Sequence, residues 1–168
     1  VLPADFDVLG VDDSKKLSEK KREELFDRIM EKALACGIGM CDNEVIDEIN
    51  ILEATKKAMA QAIDEADRQL KEKRMPGAEH LLIDAVTLKA VNIPQTSIIK
   101  GDANSLSIAA ASIIAKVTRD RLMTEYHRQY PFYGFDSNKG YGTKAHYEGI
   151  DKYGITPIHR KTFLKNIL

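Results

Sequence analysis

The segment from Leu106 to Tyr130 constrains the fold more than any other part of the sequence. Between Ile108 and Ala115 it consists of Ile, Ala and Ser alone, and from Lys116 onward it is rich in charged residues. This pattern predicts one long helix whose first half is buried, because a helix that is apolar on nearly every side cannot face water. We expect that half to pack against a β-sheet.

Two short apolar runs precede this helix, and each leads into an acidic residue. Residues 80–84 end in Asp84, and residues 96–99 are followed by Lys, Gly and then Asp102. Both runs predict buried strands followed by loops. Together with the helical patterns around them, they indicate an α/β fold.

Helical patterns occupy much of the remaining chain. Four further helices are predicted to begin after the capping residues Ser18, Asp42, Thr143 and Thr156. The first is expected to end near Ala35 and the second near Leu70. A loop rich in Gly and Tyr is predicted between Pro131 and Gly142.

The bulk composition fits a single domain of 168 residues, and it excludes a membrane span, since no apolar run approaches about 18 residues. The formal net charge is -1, but it is unevenly distributed. Residues 42–72 carry nine acidic and four basic residues, whereas residues 116–168 carry ten basic and five acidic ones. The basic part is compatible with a phosphate-binding face and equally with ordinary solvated helices.

The two cysteines, Cys36 and Cys41, have neither the spacing nor the neighbouring histidines of a zinc site. They are interpreted as reduced, partly buried thiols of a cytoplasmic protein.

Asp84 and Asp102 are the most informative polar positions. A carboxylate at the end of a strand lies at the rim of the sheet, where open α/β folds bind their ligands. Two such carboxylates could share a divalent metal such as Mg²⁺ or Mn²⁺. The alternative is that each aspartate is a cap or turn residue.

Three further features have both a functional and a structural interpretation. Lys15 and Lys16 precede a predicted helix N-terminus, which suits an anion site or a solvated loop. Tyr141 lies between two glycines, so its ring could stack on a sugar or base, or simply pack on its loop. His159 has no partners of a catalytic triad and is interpreted as structural.

Taken together, seven segments in this order resemble bacterial ribonuclease HII over nearly the whole chain. They include Asp13-Ser14-Lys15-Lys16-Leu17-Ser18 and Lys139-Gly140-Tyr141-Gly142-Thr143. The full set is residues 13–18, 46–55, 82–84, 100–102, 107–120, 139–143 and 156–160.

The resemblance implies an RNase H-like fold, which is a mixed sheet flanked by helices and followed by a small helical C-terminal extension. The corresponding domains are residues 1–135 and 136–168. Such enzymes use four acidic residues and divalent metal, Mg²⁺ or Mn²⁺, to cut RNA in RNA/DNA hybrids and to nick 5′ to single ribonucleotides in duplex DNA. The products carry a 5′-phosphate and a 3′-hydroxyl. The complete enzyme is expected to be a cytoplasmic monomer.

The same resemblance assigns roles to individual residues. Asp84 and Asp102 match the third and fourth metal-binding acids of the family. Tyr141 matches the tyrosine that stacks on the sugar at the RNA–DNA junction. The lysines that match phosphate-facing positions are Lys15, Lys16 and Lys116.

The sequence departs from the family's pattern at its opening. The family's Asp-Glu pair and Gly-Arg-Gly loop are expected a couple of dozen residues before Val1, and the acids between Asp5 and Asp13 do not replace them. We therefore expect the first strand or strands to be missing, a sheet edge to be exposed, and this chain alone to be nearly inactive. A smaller departure is Asn138, where relatives often have a histidine.

Two alternative functions remain open at this point. A non-catalytic nucleic-acid-binding remnant would bind hybrids in a salt-dependent manner without turnover. The sister enzyme, ribonuclease HIII, prefers runs of several ribonucleotides. The Lys-Gly-Tyr-Gly-Thr segment and the lack of an extra N-terminal platform domain favour type II.

Overall fold

The chain is rich in helices and contains a small parallel sheet, which confirms the predicted α/β fold class. The computed structural model describes residues 1–165. The elements are α1 (Glu19–Lys32), α2 (Asn43–Glu72), β1 (Leu81–Asp84), β2 (Gln95–Ile98), α3 (Gly101–Asn104), α4 (Leu106–Gln129), a 3₁₀ turn (Pro131–Tyr133), α5 (Phe135–Asn138), α6 (Lys144–Tyr153) and a second 3₁₀ turn (Lys161–Phe163).

Two compact units make up the chain. The first runs from Val1 to Ala115 and the second begins at Lys116, so the boundary falls inside α4. The domain boundary expected after residue 135 stays a prediction.

The N-caps of the first two helices are as predicted. The Ser18 hydroxyl accepts a hydrogen bond from the Lys21 amide at 3.2 Å, and an Asp42 carboxylate oxygen accepts one from the Val45 amide at 2.9 Å. The predicted end of the first helix was wrong. It ends at Lys32, because the amides of Leu34 and Ala35 donate to the carbonyl of Val1 instead of continuing the helical hydrogen bonds.

Helix α2 consists of two helical segments joined at Asn50, whose backbone is non-helical with φ 68° and ψ 164°. The Asn50 side-chain oxygen accepts hydrogen bonds from the amides of Leu52 and Glu53 at 3.0 and 3.2 Å. These two bonds are those of an N-cap, so Asn50 starts a new helical segment inside α2.

An extended segment before α2 lies directly on the backbone of that helix. A Cβ atom added to Gly39 would lie 1.9 Å from the Ala58 carbonyl oxygen, and one added to Gly37 would be similarly obstructed. The Gln69 side chain bonds to both the amide and the carbonyl of Cys36 at 3.0 Å. The segment therefore has the close backbone approach that only glycine permits.

The thiols of Cys36 and Cys41 are both free and half-buried, as predicted. Burial raises the pKa of the Cys36 thiol above its ordinary value. Cys36 therefore stays in its unreactive, protonated form.

The strands β1 and β2 pair in parallel, with Leu81 opposite Gln95 and Asp84 opposite Ile98. The Gln95 side chain secures the connection between them by bonding to the amide and carbonyl of Leu88 at 2.7 and 3.0 Å. The expectation that both strands are buried was wrong, since Ile83 alone among their residues is buried. Successive side chains of a strand face opposite sides, and the opposite side of β1 leaves Leu82 44% exposed.

Helix α4 has the predicted extent, but its first half is buried on part of its surface only, since Leu106, Ala111 and Ala115 are exposed. Its buried apolar residues are Ile108, Ala109, Ala110, Ile113, Ile114, Val117 and Met123. Within residues 1–165, no helix is both long enough and apolar enough to cross a membrane.

The second unit has its own apolar core. The buried residues are Met123, Tyr133, Phe135, Ile150 and Leu164, surrounded by Tyr126, Tyr130, Ile155 and Ile158. The loop predicted after Pro131 contains a 3₁₀ turn and the short helix α5, which place Tyr133 and Phe135 in this core. Thr143 caps α6 as predicted, with its hydroxyl 3.3 Å from the His146 amide.

The helix predicted to begin at Thr156 was wrong. The Thr156 backbone instead forms a turn, in which its carbonyl accepts a bond from the His159 amide at 3.1 Å. Its own amide donates to the ring of the same histidine at 2.9 Å, so His159 closes the turn from both sides. A single 3₁₀ turn over Lys161–Phe163 follows.

The packing of Gly39 predicts the effect of a single methyl group. Replacing Gly39 by Ala forces the extended segment away from α2, and we expect a loss of about 1–3 kcal/mol in the free energy of unfolding. Urea unfolding followed by circular dichroism measures this loss. In the same segment, Met40 is 59% exposed, so Met40→Ala should change stability by less than about 0.5 kcal/mol. Equal losses in the two variants would contradict the close approach.

Candidate functional site

Asp84 and Asp102 are brought together at one end of the two-stranded sheet. Asp84 is the last residue of β1, and Asp102 lies in the first turn of α3. The Gly101 amide donates a hydrogen bond of 2.8 Å to Asp84 Oδ1. The two carboxylates are thereby connected through one hydrogen bond and one peptide unit.

Two residues with left-handed backbones flank these carboxylates. Ala85, directly after Asp84, has φ 57°, and Lys100, two residues before Asp102, has φ 54°. This region is unfavourable for residues that carry a Cβ and persists only where the surrounding bonds enforce it. One of those bonds runs from the Ala85 amide to the Ile98 carbonyl at 3.1 Å. Backbone strain of this kind concentrates at functional sites.

Lys15 is the cation of this site. Its ammonium lies 3.4 Å from Asp102 Oδ2; the lysine side chain is 79% exposed, while that of Asp102 is only 12% exposed. The hydrogen bond and the charge of Asp102, together with the charges of Asp13 and Asp84, raise the pKa of Lys15. The Lys15 ammonium lies beside carboxylates while most of the side chain is exposed, so this ammonium is well placed to meet an incoming anion.

The loop that carries Lys15 is held by Arg22, a residue that sequence reasoning missed. The Arg22 guanidinium donates to the carbonyls of Ser14 and Leu17 at 3.0 and 2.5 Å. Asp13 closes the loop from the other side by accepting the Lys15 amide at 2.9 Å. The only signal in the sequence is an arginine one turn into a helix that follows a polar loop, which is too common to be diagnostic.

Lys16 is not brought to the carboxylates. Its ammonium instead lies 3.4 Å from Asp12 Oδ1, and both side chains are at least half exposed. Such an exposed pair contributes little to stability, so it exchanges readily for another anion.

The donor set at Asp84 and Asp102 suits a hard divalent cation, because it offers carboxylate oxygens alone. Asp84 Oδ1 is occupied by the Gly101 amide and Asp102 Oδ2 by Lys15, which leaves one oxygen of each carboxylate without a donor among the described residues. Within residues 1–165, no three His, Cys, Asp or Glu side chains converge to hold a metal ion. The two aspartates could therefore supply only two ligands of a metal ion.

In the second unit, Lys116 is held by a buried acid. Its ammonium lies 2.6 Å from Asp120 Oδ1 one helical turn along α4, and the Asp120 side chain is 7% exposed. Lys116 is thus committed to an intrahelical ion pair rather than pointing freely into solvent.

Tyr141 is displayed on a short loop, residues 139–143, which we call the tyrosine loop. The Tyr141 side chain is 69% exposed. Two consecutive residues before it have positive φ, 51° at Lys139 and 81° at Gly140. Gly140 packs on the end of the Met123 side chain, 3.1 Å from where a Cβ would lie. The loop holds the ring in solvent on a backbone that is itself tightly supported.

Asn138 is the main anchor of the tyrosine loop. Apart from its position, where relatives often have a histidine, nothing in the sequence singles it out. It is buried, and its amide nitrogen donates to the Tyr133 carbonyl at 2.7 Å. Its side-chain oxygen accepts the Gly140 amide at 2.9 Å, and its carbonyl accepts the Tyr141 amide at 2.9 Å. One residue thereby joins the aromatic core to the loop.

The comparison with known families decides the identity of the chain. The Ribonuclease HII family model matches residues 3–166. The chain belongs to the ribonuclease HII family. Curated relatives named ribonuclease HII include one from Clostridioides difficile, 59% identical over the whole chain, and one from Enterococcus faecalis, 58% identical over 97% of it. The chain spans 63% and 60% of the lengths of these two ribonuclease HII relatives.

A solved structure shows the same fold. The crystal structure of the ribonuclease H2 from Pyrococcus horikoshii superimposes with a TM-score of 0.61 at 26% sequence identity. The match covers 91% of this chain and 76% of that one. The α/β architecture predicted through the resemblance to ribonuclease HII is thereby confirmed.

The role of Asn138 as an anchor predicts a local loss of stability. Asn138→Ala leaves the buried Tyr133 carbonyl and the Gly140 amide without partners, so we expect about 1–3 kcal/mol of destabilisation. Urea unfolding measures the loss, and hydrogen exchange at the Gly140 amide locates it. Ser137→Ala is the matched control, because the exposed Ser137 hydroxyl makes a single 3.2 Å bond to the Gly134 carbonyl. A comparable loss in the control would rule out a specific role for Asn138.

Proposed function

We propose that the protein is a metal-dependent endoribonuclease that hydrolyses the RNA strand of RNA/DNA hybrids and nicks duplex DNA 5′ to single embedded ribonucleotides. The products carry a 5′-phosphate and a 3′-hydroxyl. The observation that carries the proposal is the pairing of Asp84 and Asp102 beside Lys15, in a chain of the ribonuclease HII family.

The two carboxylates are proposed to bind Mg²⁺ or Mn²⁺. Each retains an oxygen that no described residue occupies, and carboxylate oxygen is the ligand that these ions prefer. A divalent cation held there supplies electrostatic stabilisation of the charge that develops on the phosphate. The Gly101 amide keeps Asp84 oriented, and the strained turns on either side limit the movement of both side chains.

Lys15, Lys16 and Lys116 are proposed to contact backbone phosphates, and the structure supports them unequally. Lys15 has the strongest case, because it lies beside both carboxylates and is largely exposed. Lys16 needs only to leave an exposed pair with Asp12. Lys116 is supported least, because it is bound to the buried Asp120 carboxylate.

Tyr141 is proposed to stack on the sugar at the RNA–DNA junction. Its exposed ring stands on a loop whose backbone is anchored by Asn138, so little conformational freedom is lost when a ligand binds. The 2′-hydroxyl distinguishes RNA from DNA at a given site, and a protein can read it locally without a strongly basic surface. This agrees with a net charge of -1.

The partners and location follow from the same proposal. The proposed partners are RNA/DNA hybrids and ribonucleotide-containing duplex DNA, and the protein is proposed to act as a cytoplasmic monomer. That the 168-residue chain alone is nearly inactive also stays a prediction, and repeating the assay described next with that chain measures it.

The carboxylate assignment is tested with a duplex DNA that contains one ribonucleotide. The enzyme is these 168 residues preceded by the family's opening segment with its Asp-Glu pair. Removing a residue that only supports a metal ligand typically lowers metal affinity or activity by about 10–100-fold. Asp84→Asn and Asp102→Asn change the proposed ligands themselves, so each should lower the nicking rate by at least about 100-fold. End-labelling of the products identifies the 5′-phosphate and 3′-hydroxyl.

Asp12→Asn is the matched control for these substitutions, because Asp12 is an exposed acid whose ammonium partner is Lys16. Its nicking rate should stay within about 2-fold of the parent, as expected for an exposed charge outside the site. Normal cutting by Asp84→Asn would refute the site. Salt-sensitive binding without any metal-dependent nicking by the parent would favour the non-catalytic alternative.

The stacking role predicts a contrast between two substitutions of Tyr141. Stacking contributes about 1–3 kcal/mol per base, so Tyr141→Ala should weaken binding of the ribonucleotide-containing duplex by about 5- to 150-fold. Tyr141→Phe keeps the ring and should bind nearly normally. Fluorescence anisotropy at fixed salt measures both. Tyr153→Ala, which removes another partly exposed tyrosine of the second unit, should have little effect on binding, and an equal loss there would argue against stacking by Tyr141.

A further inference from the structure

A buried pair of histidines lies behind the tyrosine loop, and it has no role in the function proposed so far. His146 Nε2 and His159 Nε2 are 3.1 Å apart. His146 Nδ1 lies 3.0 Å from the Tyr141 carbonyl oxygen, and His159 Nδ1 lies 2.9 Å from the Thr156 amide and 2.7 Å from its hydroxyl. A continuous chain of hydrogen bonds therefore runs from the Thr156 turn to the backbone of Tyr141.

The ends of this chain fix which nitrogen of each ring carries the proton. The Thr156 amide can only donate, so His159 Nδ1 is an acceptor and the His159 proton is on Nε2. His146 Nε2 must then accept from it, which places the His146 proton on Nδ1. That N–H donates to the Tyr141 carbonyl, which can only accept. Two neutral rings satisfy every partner.

An additional proton disrupts this arrangement most at the contact between the rings. On His146 Nε2 it would face the N–H of His159, whereas on His159 Nδ1 it would face the amide N–H of Thr156 with the Thr156 hydroxyl oxygen beside it as an acceptor. Both imidazoles are buried, with 6% and 5% exposure, so the charge would also be poorly solvated. Burial and the neighbouring His146 ring lower the pKa of His159 below its usual value of 6.5.

Aromatic rings enclose the pair and supply its nearest ionisable groups. Tyr133 meets the His159 ring at 5.1 Å between centroids, Phe135 meets the His146 ring at 5.2 Å, and Tyr147 stacks on the His146 ring at 6.2 Å. Burial raises the pKa of the Tyr133 hydroxyl, so it stays neutral where His159 titrates.

The remaining polar groups near the pair have other partners. The Tyr133 hydroxyl donates to the Gly154 carbonyl at 2.8 Å. The Tyr147 hydroxyl lies against Gly142, 2.2 Å from where a Cβ on that residue would be. The Arg160 guanidinium, next in the chain to His159, stacks over the Phe163 ring at 4.1 Å. The ionisable side chains whose rings pack on the imidazoles thus include Tyr133 and Tyr147.

The hydrogen bond from His146 meets the tyrosine loop at the carbonyl of Tyr141 itself. The Tyr141 carbonyl also accepts the Thr143 amide at 2.8 Å, while the Tyr141 amide donates to the Asn138 carbonyl. The strained residues Lys139 and Gly140 precede it. Such a backbone keeps one conformation only when enough bonds enforce it, and His146 supplies the side-chain bond nearest to the displayed ring.

We propose that His146 and His159 form a neutral positioning pair that fixes the backbone of Tyr141, so that acidification breaks the bond between the rings, displaces the His146 ring from the Tyr141 carbonyl, and thereby releases the tyrosine loop and weakens recognition of the ribonucleotide. The inference rests on the proposed role of Tyr141 in substrate binding. His146 is a positioning residue, because it acts through the Tyr141 carbonyl and does not itself touch the substrate.

Two substitutions of His146 distinguish the contact made by its Nδ1 from the contact made by its Nε2. The nitrogen of Asn occupies about the place of Nδ1, so His146→Asn keeps a donor for the Tyr141 carbonyl, cannot titrate and does not reach His159. The amide of Gln occupies about the place of Nε2, so His146→Gln keeps the contact with His159 but loses the donor to Tyr141. Both lose the ring, so differences between them do not arise from aromatic packing.

The first measurement is binding of the 168-residue chain to a duplex DNA with one ribonucleotide, compared at about pH 7.5 and about pH 5.5. We expect wild-type affinity to fall by about 3- to 10-fold at the lower pH, the size of one lost hydrogen bond. His146→Asn should bind nearly as tightly as wild type at the higher pH and change little with pH. His146→Gln should be weakened at both. Equal affinities and equal pH profiles of the two variants would overturn the proposal.

A double-substitution cycle shows whether His146 acts through Tyr141. In a Tyr141→Ala background, His146→Gln should cause no further loss of binding, because residues that act through one another are non-additive. An equal loss in both backgrounds would indicate a general structural role and contradict the proposal. The stability of the two His146 variants, measured by urea unfolding, should be similar.

Nuclear magnetic resonance tests the pair without a nucleic acid. ¹⁵N shifts of the imidazoles should show a protonated Nδ1 in His146 and a protonated Nε2 in His159 at neutral pH. Exchange of the Thr143 amide should accelerate in the pH range where His159 titrates, which lies below 6.5. Other tautomers, or unchanged exchange, would refute the pair. If these results hold but the chain does not bind the duplex, the proposed function fails and the positioning pair stands.

Discussion

The hydrogen bond from the Gly101 amide to Asp84 Oδ1 is the contact on which the acidic site depends. It joins the end of a strand to the start of α3, directly before Asp102. Without it, Asp84 at the end of β1 and Asp102 at the start of α3 would lose the hydrogen bond that joins them, and the left-handed turns at Ala85 and Lys100 would lose one of the bonds that enforce them.

Much of the fold could be predicted because the relevant interactions are local. The Ser18, Asp42 and Thr143 caps involve residues three positions apart, and an acid at the end of an apolar run identified Asp84. Interactions that depend on tertiary contact could not be predicted. Asn138 leaves no periodic or motif signal, because its partners are backbone groups that every residue possesses. The turn at Thr156 was predicted as a helix because Thr followed by Pro also begins helices, and no sequence pattern announces that the His159 ring will close a turn on the Thr156 amide.

The two compact units hold their exposed functional side chains by different physical means. In the first, Lys15 is oriented by the charge of Asp102. Because the Lys15 side chain is largely exposed, dissolved salt screens this attraction. In the second, Tyr141 is oriented by neutral groups, namely the amide of Asn138 and the ring of His146, which salt hardly affects. Ionic strength and pH are therefore separate controls on the two parts of the proposed interface.

The break in α2 at Asn50 has a consequence for the unfolded chain. Because Asn50 provides its own N-cap, residues 51–72 form a complete helical unit that exceeds the roughly 12–15 residues a helix needs to persist alone in water. Residues 43–49 are too few to do so and become helical only within the packed protein. The second segment can therefore retain helical structure in the denatured ensemble while the stretch before Asn50 is disordered.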